Sequence, residues 1–226
     1  MLYTILPFVV LKSRMAYPNL KEEKKLWKKG YKYVCGIDEA GRGPLAGPVV
    51  AATVSFLDYK KLGNKKEIND SKKIPENQRE KIYKTLTTDK NIMWGIGIVS
   101  EKIIDKINIL EATKLAMEKS VINLQKKLKI GAEFLILDGN FKINMNIPHK
   151  SIIKGDQKSL SVASASIIAK VTRDRIMKKY HKKYPEYGFD RHKGYGTVLH
   201  VENLKKNGLC KIHRKTFYPV KCAKYL

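Results

Sequence analysis

Three short apolar runs of the chain end in acidic residues, and these acids are the first candidates for chemistry. They are Asp38 with Glu39, Asp138, and Asp156. Burying a carboxylate is costly unless a charge or a metal ion compensates it. If the runs are neighbouring strands, their ends share one crevice and four carboxylates converge there. Oxygen-only ligands select hard cations, so the pattern predicts a site for two divalent ions, Mn²⁺ or Mg²⁺. Such a pair would clamp a phosphate during in-line displacement by water.

Each acid also has a simpler interpretation when taken alone. Asp138 precedes Gly139, and because Asp-Gly is a common turn pair, a turn is the favoured interpretation of Asp138 alone; a turn or cap is likewise favoured for Asp156 alone. Asp38 and Glu39, placed before Gly-Arg-Gly, are much less ordinary. The metal interpretation therefore depends on the three strand ends lying side by side.

One geometric condition concerns the adjacent pair. Neighbouring residues of a strand point to opposite faces, so Asp38 and Glu39 share one site only if the chain bends there. Gly41 and Gly43 follow directly and offer the backbone freedom that a bend requires.

The overall charge favours a polyanionic partner. The chain has 226 residues with 46 Lys and Arg against 21 Asp and Glu, a formal net charge of +25. Nucleic acid is the usual partner of such a protein, although a lysine-rich composition also arises from an A/T-rich genome without any function. A membrane-surface partner is less favoured, because the sequence contains no long amphipathic helix with an aromatic face. A basic surface would hold phosphates, and the acidic pit would hold metal ions.

The cysteines indicate a reducing compartment. Three cysteines at irregular spacing do not form a disulfide framework, so we expect a cytoplasmic protein. Cys210-x-x-His213 resembles half of a zinc site, but no complete set of four ligands accompanies it. A structural role is the favoured interpretation of that pair.

Hydrophobic patterning predicts one α/β domain over residues 31–226, preceded by an extension, residues 1–30, that contains a short helix. The apolar run within residues 2–11 lacks the basic start and cleavage site of a signal peptide. The predicted strands are Tyr31–Asp38, Pro48–Leu57, Asn91–Val99, Phe134–Leu137 and Ser151–Ile153. The predicted helices are Asn19–Gly30, Pro75–Thr87, a short one after Ser100, Asn108–Leu128, Ser159–Tyr184 and Thr197–Lys206. Residues 188–196 are predicted to be a loop, and the C-terminal tail to be mostly irregular.

Several motifs, in order, resemble bacterial type 2 ribonuclease H. The strongest is Gly36-Ile-Asp-Glu-Ala-Gly-Arg-Gly-Pro-Leu-Ala-Gly-Pro-Val-Val50. The others are the segments 70–73 (Asp-Ser-Lys-Lys), 137–139 (Leu-Asp-Gly), 154–156 (Lys-Gly-Asp), 161–174 and 194–197 (Gly-Tyr-Gly-Thr). The resemblance covers about residues 17–215. It implies a ribonuclease H-like fold: a mixed central β-sheet flanked by helices, with a C-terminal helical portion.

The resemblance also implies an activity and a division of labour. The expected substrates are RNA/DNA hybrids and DNA that contains single ribonucleotides. Cleavage is expected 5′ to the ribonucleotide, leaving 3′-OH and 5′-phosphate ends. The protein is expected to be a monomer. The implied metal ligands and catalytic residues are Asp38, Glu39, Asp138 and Asp156. The turn Gly41-Arg42-Gly43 corresponds to the element that senses the 2′-OH, and Tyr195 to the tyrosine that packs on the sugar beside the scissile phosphate. Lys72, Lys73 and Arg42 are candidate phosphate contacts.

Three rival classes differ in identifiable features. Type 3 ribonuclease H usually has an added N-terminal sheet domain and a glutamate as its last acid, whereas here the tail before Tyr31 is short and the last acid is Asp156. A transposase- or resolvase-like nuclease would lack the Gly-Arg-Gly and Gly-Tyr-Gly elements. A non-catalytic nucleic-acid-binding protein would have no reason to gather acids at several strand ends.

Overall fold

The computed structural model describes residues 17–62, 67–68, 71, 74–128 and 131–225, and the side-chain statements below concern residues within these ranges. Residues 1–16 lie outside them, so the expected N-terminal extension is described only from Tyr17 onward. Lys72, one of the predicted substrate-binding residues, also lies outside the described residues, as does the remainder of its motif apart from Ser71.

The described chain alternates between strands and helices. The strands are β1 Val34–Ala40, β2 Val49–Phe56, β3 Ile92–Val99, β4 Phe134–Asp138 and β5 His149–Ile152. The α-helices are α1 Lys21–Trp27, α2 Glu76–Thr88, α3 Glu101–Leu128, α4 Leu160–Lys183, α5 Phe189–His192 and α6 Val198–Asn207. Short 3₁₀ helices occupy Gly155–Gln157, Pro185–Tyr187 and Val220–Tyr225.

The five strands form one mixed sheet in the order β3-β2-β1-β4-β5. The first three strands pair antiparallel, whereas β1 pairs parallel with β4 and β4 pairs parallel with β5. Because β1 and β4 run in the same direction, their carboxyl ends meet at one edge of the sheet. The predicted mixed sheet flanked by helices, with a C-terminal helical portion, is confirmed.

Two long helices cover the two faces of the sheet. Helix α3 packs on one face around Ile37, and helix α4 packs on the other. Gly36 allows α4 to approach the sheet closely, since a Cβ atom there would overlap the backbone of Ser161 and Val162 at the start of α4. The early turns of α4 are entirely buried, and its later turns carry the basic residues. The absence of a side chain at position 36 therefore brings the start of α4 against the strand that carries the first two acids.

Several boundaries differ from the sequence predictions. The strand predicted over Ser151–Ile153 begins at His149, because the residues from His149 onward pair with β4. The predicted loop at residues 188–196 contains the single-turn helix α5, which is bounded by left-handed residues Gly188 and Lys193. The tail is less irregular than predicted, because it contains the 3₁₀ helix Val220–Tyr225.

The predicted break at Asn108 is present as a kink within one long helix. Asn108 has φ 64°, and its side-chain oxygen accepts hydrogen bonds from the backbone N–H groups of Leu110 (2.9 Å) and Glu111 (3.1 Å). This is the geometry of an N-cap, so Asn108 starts the longer part of α3 as predicted.

Helix α1 is tied to the sheet-covering helix α4. The carboxylate of Glu23 is fully buried, and its Oε1 accepts hydrogen bonds from Ser159 Oγ (2.6 Å), Ser161 N (2.9 Å) and Ser161 Oγ (2.7 Å). Backbone bonds from Asn19 to Lys158 and from Leu160 to Asn19 join the same segments. The described part of the predicted extension thus braces the start of α4.

Candidate active site

The parallel pairing of β1 and β4 places two of the predicted acids side by side. Ile37 is the register partner of Leu137, so the residues that follow them, Asp38 and Asp138, lie at the same level of the sheet, Asp138 as the last residue of β4 and Asp38 two residues before the end of β1. Asp156 arrives from β5 through the 3₁₀ helix, and the backbone N–H of Gly155 donates to Asp138 Oδ1 at 2.7 Å. The sheet edge therefore gathers the acids from three different parts of the chain.

Side-chain alternation separates Glu39 from the other acids along the strand. Asp38 lies on the α4 side of the sheet, in step with Gly36, whereas Glu39 is the next residue along. The ladder with β2 continues past both acids to Ala40, so the left-handed turn at Gly41 (φ 98°) follows the pair. Both acids nevertheless line one cavity of about 180 Å³ at the end of the strand.

The pKa of Asp38 is shifted by its burial and by the charges of the other three carboxylates. Its side chain is 5% exposed, and burial raises its pKa well above the usual range. The negative charges of Glu39 and Asp138, and that of Asp156 to a smaller extent, raise this pKa further, against a hydrogen bond from the backbone N–H of Glu39. Mutual repulsion of this kind is what a bound cation would relieve.

The carboxylates interact with one another, but they are not arranged as a complete set of metal ligands. Within the described ranges, no group of three or more His, Cys, Asp or Glu side chains has the arrangement of a metal site. Glu39 instead faces Arg42 Nη1 at 3.6 Å. The oxygen-only donor set and the raised pKa of Asp38 fit a hard divalent cation, whose charge would have to draw these side chains together.

The segment from Gly41 to Pro48, which follows Glu39, is held by two buried arginines that the sequence analysis did not identify. Arg214 donates from Nε to Gly47 O (2.9 Å), from Nη1 to Arg42 O (2.8 Å) and from Nη2 to Gly41 O (2.6 Å). Arg173, from α4, donates to Pro48, Lys193 and Ala46 carbonyls at 2.9–3.1 Å. Burial lowers the pKa of Arg173 to about 10 and that of Arg214 to about 9, so both remain charged at neutral pH.

No sequence signal distinguished these arginines from their neighbours. Arg214 lies in a lysine-rich tail, and Arg173 lies where α4 changes from apolar to basic. In both places a basic residue is ordinarily solvated, and only the tertiary fold shows that the guanidinium groups are enclosed by backbone carbonyls.

Tyr195 lies across the cavity from the Gly41–Gly43 turn. The tyrosine is 43% exposed, and a Cβ atom placed on Gly43 would lie 4.0 Å from its Cε1. Lys170 and Arg173 approach its ring with their charged ends 5.9 Å and 5.8 Å from the centroid. The structure thus brings Tyr195, predicted from a distant motif, to the stretch that contains Asp38, Glu39 and the turn.

The cavity has two further polar residues that sequence reasoning missed. Ser71 and Ser166 line it, and their hydroxyl oxygens lie 2.7 Å apart. Arg79 fixes the Ser71 end of this contact by donating from Nη1 to Ser71 O at 2.6 Å. Ser71 was quoted only as part of a motif, and nothing in its local sequence indicated burial beside α4.

The mixed sheet with carboxylates at its converging strand ends defines a nuclease of the ribonuclease H type. The chain resembles the crystal structure of ribonuclease H2 from Pyrococcus horikoshii OT3 with a TM-score of 0.67 and 30% identity, covering 85% of this chain and 97% of that one. Residues 35–220 match the family model for ribonuclease HII.

Curated relatives place the chain in the same family. It is 55% identical over 195 residues to the ribonuclease HII of Acetivibrio thermocellus, covering 86% of this chain and 73% of that protein. It is 50% identical over 217 residues to the ribonuclease HII of Chlamydia muridarum, covering 93% and 96%. The chain belongs to the ribonuclease HII family, and it is therefore a ribonuclease H, an endonuclease acting on RNA/DNA hybrids.

No helix in the described ranges has the length and apolar character needed to cross a bilayer.

Proposed function

We propose that this ribonuclease H also nicks duplex DNA 5′ to single embedded ribonucleotides, by two-metal hydrolysis that leaves 3′-OH and 5′-phosphate ends. The observation that carries the proposal is the cavity shared by the acidic strand end, the Gly41–Gly43 turn and Tyr195. In this cavity Asp38 and Glu39, two of the carboxylates proposed to catalyse phosphodiester cleavage, lie next to the groups proposed to recognise the sugar.

The proposed ligands are Asp38, Glu39, Asp138 and Asp156. Ribonucleases H use divalent metal ions, and two Mn²⁺ or Mg²⁺ ions, when bound, would supply an activated water and stabilise the leaving oxygen. The chain's own contribution is to concentrate negative charge at a buried strand end, which raises the pKa of Asp38 and favours a cation over an empty site. The bond from Gly155 N to Asp138 Oδ1 holds that carboxylate toward the Asp156 turn.

The Gly41–Gly43 turn is suited to sensing a ribose. Only the 2′-OH distinguishes ribose from deoxyribose, and backbone groups read it best where no side chain intervenes. Gly43 is exposed in the cavity and faces Tyr195, whereas the carbonyls of Gly41 and Arg42 are already fixed by Arg214. We propose that Tyr195 lies against the neighbouring deoxyribose, where an added hydroxyl would fit poorly.

The charge of the chain supports binding of the nucleic acid. A net charge of +25 favours a polyanion, and neutralising several phosphates makes affinity fall steeply with salt. Arg42 at the cavity mouth and Lys72 are the proposed phosphate contacts. We propose that the enzyme acts as a monomer in the cytoplasm, the compartment that its irregularly spaced cysteines favour.

A panel of three duplexes tests the proposal. The enzyme is incubated with DNA containing one ribonucleotide, with a uniform RNA/DNA hybrid, and with all-DNA duplex, each with Mg²⁺, with Mn²⁺ and with a chelator. We expect metal-dependent nicking of the first duplex immediately 5′ to the ribonucleotide, and no cleavage of all-DNA. Cleavage of the uniform hybrid alone would contradict the proposal while leaving the ribonuclease H activity intact.

A further inference from the structure

We propose that His200 is a positioning residue that fixes the backbone of Tyr195 through a relay of buried histidines ending at Cys210. The inference rests on the proposed function, because it assumes that Tyr195 contacts the sugar. It assigns a specific hydrogen-bonding role to the Cys210-x-x-His213 pair, for which the sequence favoured a structural role over a zinc site.

The relay begins at the carbonyl of Tyr195. His200 Nδ1 lies 2.9 Å from that oxygen, which can only accept, so Nδ1 carries the hydrogen. In a neutral ring the other nitrogen is then an acceptor. His200 Nε2 lies 3.1 Å from His213 Nε2, so His213 must donate there.

The same reasoning fixes the far end of the relay. With its hydrogen on Nε2, His213 presents Nδ1 as an acceptor. It receives a hydrogen bond from the backbone N–H of Cys210 at 3.0 Å, and the thiol Sγ of Cys210 lies 3.2 Å away. Each tautomer is thus dictated by the next partner, and the thiol completes the relay as a donor.

A third histidine holds the backbone just before Tyr195. His192 Nδ1 accepts from Gly194 N at 3.1 Å, and its Nε2 lies 2.8 Å from Tyr187 O, to which it donates. Its ring stacks on that of His200 with centroids 4.4 Å apart. Imidazoles therefore contact the backbone immediately before Tyr195 and at Tyr195 itself, where Thr197 N supplies a second hydrogen bond to the carbonyl.

The relay works only when the rings of His200 and His213 are both neutral. A proton added to His200 Nε2 would set two N–H groups against each other at the contact with His213. Burial lowers the pKa of His200 and of His213 to about 4, so the arrangement persists at neutral pH. The titratable and charged groups around it are Asp190, Lys193 and His181 near His192, and Glu186 and Glu101 near Cys210.

Two polar variants at one position separate positioning from packing. In His200→Asn the side-chain amide can replace Nδ1–H and donate to Tyr195 O. In His200→Gln the longer side-chain amide reaches the position of Nε2 and can accept the hydrogen bond from His213 Nε2. The carbonyl of Tyr195 then lacks the hydrogen bond that His200 Nδ1 donates. We expect His200→Gln to lower kcat/KM on single-ribonucleotide duplex about tenfold, the worth of one hydrogen bond of roughly 1.4 kcal/mol, and His200→Asn to restore most of it.

A cycle with Tyr195→Ala completes the test. The Tyr195→Ala and His200→Gln variants should lower the same kinetic parameter, and the double variant should be no slower than Tyr195→Ala alone. Additive losses, or equal rates for His200→Asn and His200→Gln, would overturn the inference. An unchanged rate for Tyr195→Ala would instead refute the sugar contact on which it rests. Thermal unfolding of each variant, measured without metal, shows which chains are folded at the assay temperature, and the comparison of Asn with Gln uses only those.

Discussion

The guanidinium of Arg214 donates from Nη2 to the carbonyl of Gly41, with 2.6 Å between the two atoms. The two residues are 173 positions apart, so the C-terminal segment fixes the turn that follows the acidic strand end. A lysine could replace the charge but not the three hydrogen bonds that Arg214 makes.

Replacing Arg214 by Lys should therefore loosen the turn without removing the positive charge. We expect a loss of about 2–3 kcal/mol in the free energy of unfolding, since buried carbonyls lose their donors. We also expect at least a tenfold lower kcat/KM on single-ribonucleotide duplex. Urea unfolding and steady-state nicking measure the two effects. Arg191→Lys, at an exposed position, is the matched control and should change neither. Full activity in Arg214→Lys would show that the turn does not depend on this residue.

Much of this architecture could be predicted from sequence because it follows from local pattern. The apolar run before Asp138 and the glycines around Arg42 mark their strand end and turn directly. The burial of Arg173, Arg214 and Glu23 could not be predicted, because each lies among many similar charged residues that are solvated. What distinguishes them is a partner far away in the chain, which no local pattern records.

Gly41 and Gly43 should respond differently to the same substitution. A methyl group on Gly41 would overlap the buried side chain of Arg173, and φ 98° disfavours any L side chain. Gly41→Ala should therefore destabilise the protein by about 3 kcal/mol or more. In Gly43→Ala the methyl has room and the free energy of unfolding should change by less than about 1 kcal/mol. It would nevertheless project toward the proposed sugar site, so nicking of the single-ribonucleotide duplex should fall at least tenfold. Equal stability losses for the two variants would contradict the model of the turn.

The buried carboxylate of Glu23 should stabilise the start of α4. Glu23→Ala leaves the Ser159 hydroxyl and two Ser161 groups without their acceptor, which should lower the free energy of unfolding by about 2–4 kcal/mol. The neighbouring Glu22, which pairs with lysines nearer the surface, is the control, and Glu22→Ala should cost less than about 1 kcal/mol. Denaturant unfolding of both variants makes the comparison. Similar losses would indicate that α1 does not brace α4.

The histidine relay predicts a loss of stability in mild acid. His200 and His213 have a pKa of about 4 in the folded protein against 6.5 for an ordinary histidine, so the unfolded chain binds more protons between these values. The free energy of unfolding should fall as pH drops from about 6.5, by as much as about 3 kcal/mol per pH unit for two groups. Urea unfolding from about pH 7 to about pH 5 measures this slope.

His200→Asn is the control for that slope. It removes one of the two titrating rings and should make the pH dependence shallower. Asp38 acts in the opposite direction, because its raised pKa makes the folded state less favourable as pH rises. The contribution of Asp38 is present in both the wild type and His200→Asn, so it cancels when their pH slopes are compared. Identical slopes would show that the relay does not govern the acid sensitivity.

The most direct test of the carboxylate cluster is a Mn²⁺ titration of the wild type and Asp38→Asn, followed by thermal unfolding and by nicking of single-ribonucleotide duplex. Asn retains the acceptor for Glu39 N while removing a charge that is repelled by its neighbours. Without metal the variant should unfold at a higher temperature than the wild type. Added Mn²⁺ should raise the unfolding temperature of the wild type much more than that of the variant, and the variant should cleave at least a thousandfold more slowly. A variant that matches the wild type in both metal stabilisation and cleavage would contradict the assignment of this strand end as the catalytic metal site.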